Sequence, residues 1–278
     1  MRRLIIFLMA INSYLVAQEL SFITYLDNKW QIVVCKNKEC QVIKTKQEPR
    51  TYDYDFKNRQ VVYIASDESV RLVYNNQEKI IVKPKKDKYT EPLFINDAKE
   101  IMLVRLINGN SKDTEIISID LSGKNQKSLH YQHSTSLEPF SIDGKKIYYA
   151  NVSCVNGCGH IIQEIWQKDN LYGIANQITL LNSLSHQPII DEEGKSVYFS
   201  SNKMGNFHIY KTIFSNGKTI QITKGDVTDS FPNISNGVLY FVRRKEADTK
   251  IMRLKDGELE KLEFDKKYRK IRNLKVKR

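Results

Sequence analysis

Helical periodicity is nearly absent from this chain. Beyond the first seventeen residues, no stretch repeats its apolar residues at the three-to-four spacing of an amphipathic helix, which excludes helical bundles and doubly wound α/β folds. Nor is any later apolar run close to the roughly 20 residues that a membrane-spanning helix needs. Cysteine is limited to four residues in 278, too few for a small scaffold held together by bridges. Phosphate-loop Gly-Lys-[Ser/Thr], HExxH and GxSxG sequences are all missing, so nucleotide hydrolysis, zincin chemistry and α/β-hydrolase chemistry have no starting point.

The chain begins MRRLIIFLMAINSYLVAQ. Arg2 and Arg3 precede a short apolar run, and small Ala17 follows near a polar boundary, which is the pattern of a secretory signal peptide over 1–17. Cleavage after Ala17 would leave an exported, periplasmic protein over 18–278. Net charge is +12, of which +7 falls in the last fourteen residues, and this basic end reads first as a solvated tail. Contact with an anionic partner is the alternative. Export points away from nucleic acid and toward an acidic protein face or an anionic envelope polymer.

Short runs rich in Val, Ile, Tyr and Phe fill the rest, separated by Gly, Asn and Asp clusters, the signature of strands and turns. QVVYIA (60–65), KIYYAN (146–151), SVYFSS (196–201) and VLYFVR (238–243) are each followed by a second apolar run. A repeat runs through them. EPLFINDAKEIML (91–103), EPFSIDGKKIYY (138–149), HQPIIDEEGKSVYF (186–199) and SFPNISNGVLYF (230–241) share a Pro, a turn and an apolar-aromatic run. DYDFKNRQVVY (53–63) is a degenerate copy with Asp53 in the Pro position. The prolines are 47, 49 and 44 residues apart. Periods of this length, with about four strands per unit, predict propeller blades. Pro lacks an amide donor and so suits the start of a strand.

The expected fold is all-β, a six-bladed β-propeller with blades of four antiparallel strands. Five full blades cover 51–88, 89–136, 137–185, 186–229 and 230–264. The sixth combines 18–50 with 268–278, so that the C-terminal strand joins the first blade and closes the ring. Closure removes the sheet edges that would otherwise invite aggregation.

Residues 186–223 carry Pro188, Gly194, Lys195, Tyr198, Phe199, Ser201, Asn202, Gly205, Asn206, Ile209, Tyr210, Ile222 and Thr223. This pattern resembles the TolB-type propeller repeat, and the resemblance covers nearly all of the chain after the signal. It implies a periplasmic, non-enzymatic component of an envelope-spanning system, binding a peptidoglycan-associated lipoprotein at the channel mouth. The stretch before the first full repeat reads as strands, so the separate N-terminal α/β domain of TolB is not expected.

On this propeller, Cys35 and Cys40 bracket the turn between the third and fourth strands of the first blade. Cys154 and Cys158 fall in the loop between the second and third strands of the fourth. The two pairs then lie on opposite faces, beyond the roughly 7 Å that a bridge between alpha carbons allows, so local pairing is expected. A metal or redox reading of CVNGCGH (154–160) would recruit His160. Its spacing differs from CxxC and CxxCH, and zinc would need a further ligand. Neither metal nor cofactor is expected.

Catalytic residues are not assigned. The channel mouth is expected to present Glu138, His186, Ser230 and His133, on the face formed by the loops that enter each blade and the loops between its second and third strands. KPKKDK (83–88) and the Cys154–Cys158 loop share that face. Two functions follow: a monomeric binding module for a periplasmic or outer-membrane-associated protein or an anionic envelope polymer, or an exported lyase or hydrolase acting on carbohydrate or peptide through mouth His and carboxylate groups.

Overall fold

The computed structural model describes residues 18–154, 156–169, 173–264 and 267–278. The proposed signal segment 1–17, Val155 within the Cys154–Cys158 loop, and Asp265 and Lys266 of the basic tail lie outside the described residues.

In chain order the strands are β1 (Glu19–Leu26), β2 (Lys29–Lys36) and β3 (Glu39–Ile43), followed by five sets of four. These are β4 (Pro49–Asp55), β5 (Gln60–Ala65), β6 (Val70–Tyr74) and β7 (Gln77–Val82); then β8 (Lys88–Ile95), β9 (Glu100–Leu106), β10 (Thr114–Asp120) and β11 (Lys127–Tyr131). Next come β12 (Ser136–Phe140), β13 (Lys146–Cys154), β14 (Ile162–Asp169) and β15 (Ala175–Gln177). The last sets are β16 (Ser185–Ile190), β17 (Ser196–Met204), β18 (Asn206–Ile213) and β19 (Thr219–Gln221), and β20 (Thr228–Ser235), β21 (Val238–Lys245), β22 (Asp248–Lys255) and β23 (Glu258–Lys261). A final strand, β24 (Arg272–Val276), pairs antiparallel with β1, giving the order β24-β1-β2-β3 in the first blade. The result is the six-bladed ring, closed by its C-terminal strand as the sequence predicts.

Position within a blade explains each strand's composition. Blades pack face to face, so their middle strands bury both sides; all six residues of β5 are buried, as are Val197, Phe199, Ile209 and Tyr210 of β17 and β18. Such strands read as continuous apolar runs because neither face meets water. The outermost strands meet more solvent, most of all ELEK of β23, all of whose residues are exposed. Six apolar clusters fill the gaps between neighbouring blades. The one between the last blade and the first joins Leu20, Phe22 and Val33 to Tyr240, Ile251, Leu274 and Val276, so β24 helps to bury the seam it closes.

Innermost strands line the channel, and five of them share an irregularity. The register slips at Glu91-Pro92, Glu138-Pro139, Gln187-Pro188, Phe231-Pro232 and, without a proline, Asn273-Leu274, where two residues face one on the neighbouring strand. This is the geometry of a β-bulge. In β4 the slip comes earlier, between Pro49 and Thr51. Counted back from the following turn, Asp55 opposite Gln60 matches Ile95 opposite Glu100. Tyr52, not Asp53, therefore stands in the Pro position. Between the bulge and the turn the two strands keep the same register, so Asp53 corresponds to Leu93.

Candidate functional site

The channel has a volume of about 720 Å³ and is walled by the six inner strands. At the end where those strands begin, the residue before each bulge proline sits in the left-handed region: Glu91 at φ 52°, Glu138 at 52°, Gln187 at 55° and Phe231 at 54°. Residues before proline normally favour extended backbone, and a non-Gly residue held there costs about 1–3 kcal/mol. The surrounding structure must hold it.

A relay of hydrogen bonds does so. The Thr51 hydroxyl accepts from the Glu91 amide (3.3 Å), and the Glu91 carboxylate accepts from the Glu138 amide. Glu138 Oε2 accepts from the Gln187 amide (2.8 Å), and Gln187 Oε1 accepts from the Phe231 amide (2.7 Å). Each side chain thus satisfies a backbone donor of the next blade and ties the two bulges together. Phe231 has no acceptor to pass on. Instead, the Asn233 side chain donates to the Leu274 carbonyl (2.9 Å), and Lys275 Nζ lies 3.2 Å from Asp53 Oδ1. Asp53 Oδ2 also accepts from the Phe94 amide (2.8 Å). Six blades are linked around one mouth.

Two carboxylates on adjacent blades come together here. Burial pushes Glu91 up to about 8, and the neighbouring Glu138 carboxylate pushes in the same direction. His186 Nδ1 lies 3.2 Å from Glu138 Oε2 and 3.0 Å from Gln163 Nε2, and its ring faces Phe207 at 5.4 Å. Gln163 also donates to the Ser185 carbonyl (3.1 Å), which sets the orientation of its amide.

Of the residues singled out by sequence, Glu138 and His186 meet although they are 48 positions apart. His133 turns elsewhere: its Nδ1 is 2.7 Å from the Tyr131 hydroxyl, and the two rings pack at 4.7 Å. Ser230 is half-buried in β20 opposite Val242, directly before the relay residue Phe231. Cys35–Cys40 bridges β2 and β3, and Cys154–Cys158 closes the loop between β13 and β14. Thr51, Glu91 and Gln187 were not singled out, and neither was the Lys275–Asp53 pair. The available signal was the position before each repeat proline, which these residue types do not advertise.

No protein-family description matches the chain, and no curated protein matches it in sequence. Comparison of structures is informative. TolB from Acinetobacter baumannii superposes with a TM-score of 0.73 at 14% identity, over 93% of this chain and 66% of that one. The fold is TolB-like. A putative TolB from Agrobacterium tumefaciens aligns with a TM-score of 0.67 at 13% identity, over 88% of both chains. An oligogalacturonate lyase in complex with manganese aligns with a TM-score of 0.61 at 9% identity, over 87% of this chain and 73% of that one. At such identities the likeness of the TolB-like propeller to each is one of fold, and a fold hosts many functions.

Proposed function

We propose that this TolB-like propeller is an exported binding module that receives a partner protein, or another envelope component, over its channel mouth. The supporting observation is the relay itself. Thr51, Glu91, Glu138 and Gln187 each hold an amide of the next blade, so the rim around the channel is preorganised. A rim already fixed loses little conformational freedom when a partner docks, which leaves more of the contact energy as affinity. The N-terminal signal pattern and the two local disulfides support export to an oxidising compartment.

The test is capture from envelope extract by the wild-type protein and by a mouth-blocked variant, Gln187→Trp, checked for an unchanged fold. A partner enriched by the first and lost with the second supports docking at the mouth. Equal enrichment by both would place the interface elsewhere. A second reading, hydrolysis or lyase chemistry at the Glu138–His186 pair, draws on the 3.2 Å contact between them. Turnover of a carbohydrate or peptide substrate, abolished by His186→Ala, would favour it over the binding module.

A further inference from the structure

The mouth face is divided by charge. The loops entering the second and third blades read KTK (44–46) and KPKKDK (83–88), whereas those entering the fourth and fifth, 132–135 and 178–184, contain no Lys, Arg, Asp or Glu. Lys44, Lys46, Lys83, Lys85 and Lys86 are exposed. The carboxylates close to them are occupied. Glu48 accepts from the Trp30 amide (2.8 Å), and Glu78 from Arg71 (2.7 Å) and the Lys46 amide (2.7 Å). Glu68 holds Lys88 at 3.0 Å, and Asp87 accepts from the Asn108 amide (2.8 Å) and faces Arg105 at 3.6 Å. The five lysines form no ion pair among the described residues, and Glu48, whose partner is an uncharged amide, offsets only part of their charge, so the patch that faces outward is net positive.

The basic loops are contiguous. Gln47 accepts from Ser66 (3.0 Å), and Arg50 reaches the Ser66 carbonyl (3.0 Å) and Glu68 (3.4 Å), which in turn holds Lys88. On the other side, Glu48 ties the 44–48 loop to Trp30, whose ring packs edge-on against Tyr25 at 5.4 Å. Tyr25 is 36% exposed, and Lys270 Nζ lies 5.1 Å from its ring centre. An arc of cations therefore runs around part of the mouth, with an accessible aromatic ring at one end.

We propose that this arc is a docking surface for an extended anionic glycan. Lysines dominate it, on separate loops, as hydrated point charges that do not converge on a pocket. Protein interfaces are depleted in Lys at their cores, whereas a linear polyanion gains by displacing counterions along such a track. Tyr25 favours a sugar polymer over an acidic polypeptide, because the apolar face of a pyranose ring can pack against an aromatic one. The inference shares its working face with the proposed function but uses the outer loops rather than the channel rim.

The test measures binding of the purified, disulfide-bonded protein to three probes: polygalacturonate, poly-L-glutamate of matched charge, and vesicles containing phosphatidylglycerol. The wild type should bind polygalacturonate most tightly, with log affinity falling linearly with log salt concentration. Reversing Lys83, Lys85 and Lys86 to Glu should weaken this at least about tenfold at low salt and flatten the slope. Tyr25→Ala should weaken binding of polygalacturonate and leave that of poly-L-glutamate unchanged. Equal affinity for the two polymers with no effect of Tyr25→Ala would assign the arc to an acidic protein. Preference for vesicles would assign it to a membrane, and no binding, or binding indifferent to the triple reversal, would remove the arc as a site. Because the readout is polymer binding by the purified protein, a failed envelope capture leaves this result standing, and the reverse also holds.

Discussion

Blades two to six and blade one solve the same problem by different means. In the former, all four strands are consecutive in the chain, and neighbouring bulges are tied by short polar relays from Thr51 through Gln187 to the Phe231 amide. The first blade takes its inner strand from the other end of the chain, and there the relay gives way. Its replacements are the Asn233 bond to Leu274, the Lys275–Asp53 pair, Lys277 Nζ against Glu19 at 3.1 Å, and the Arg272 guanidinium stacked 3.9 Å from the Trp30 ring. A strand held by the covalent chain needs only its neighbours' amides satisfied. One recruited from the far terminus must also recover the entropy of closing the whole ring, and apolar burial with charged contacts does that.

The largest test of this difference is removal of residues 272–278. It strips buried Leu274 and Val276 from the seam and bares the edge of β1, so the cooperative thermal transition should be lost and light scattering should rise. Leu274→Ala is the milder probe and should cost about 2–5 kcal/mol in denaturant unfolding. If both variants unfold like the wild type, closure by β24 contributes little.

Relay and closure can then be weighed against each other. Gln187→Ala leaves the Phe231 amide without its acceptor and should cost about 1–3 kcal/mol. Lys275→Met takes the cation from Asp53, whose carboxylate is largely buried and keeps the Phe94 amide, and should cost at least as much, about 1–3 kcal/mol or more. A loss under about 0.5 kcal/mol for either variant would mean that the other tie holds the rim.

Neither disulfide closes a long loop. Replacing Cys35 and Cys40 by Ser should cost no more than about 2 kcal/mol, and replacing Cys154 and Cys158 a similar amount. A much larger loss in the first blade would give its bridge a part in closure. Differential scanning calorimetry of the two double variants makes the comparison.

The smallest effect is one of pH. Glu91 in the folded protein titrates near 8, above its unfolded range, so the stability it contributes is complete at acid pH and is lost as pH rises through about 8. His130 works the other way: burial, reinforced by Lys168, lowers it to about 4, so its contribution is lost as pH falls from about 6.5 toward 4. Between pH 6.5 and 8 the Glu91 slope should remain after that of His130 has levelled off. Glu91→Gln, which keeps an oxygen for the Glu138 amide, should flatten Tm across that window. A slope that persists in the variant would assign it to another group.

The propeller is readable in the sequence because burial on both faces of the middle strands forces continuous Val, Ile, Tyr and Phe runs, and because a Pro recurs at the same place in four of the inner strands. The bulge before each Pro is less visible. Its residues are Glu, Glu, Gln and Phe, types with no shared preference for left-handed backbone, and their common property is their place in the ring. Asp53 shows the cost of reading by pattern alone: it pairs with Val62 as Leu93 pairs with Met102, one place beyond the Pro position. Glu138 and His186 were identifiable as mouth residues, but only packing brings them to 3.2 Å while His133 turns to Tyr131.

Composition and period by themselves determined the number of blades, the strands that would be buried, and the pairing of each cysteine with its near neighbour. All of these follow from local periodicity and short sequence separations. Tertiary structure alone decided which polar side chain answers which amide across the mouth, and which lysines are left without a carboxylate. Those choices depend on ångström-scale distances between residues some 40 to 50 positions apart, or at opposite ends of the chain, and the ring's closure sets them.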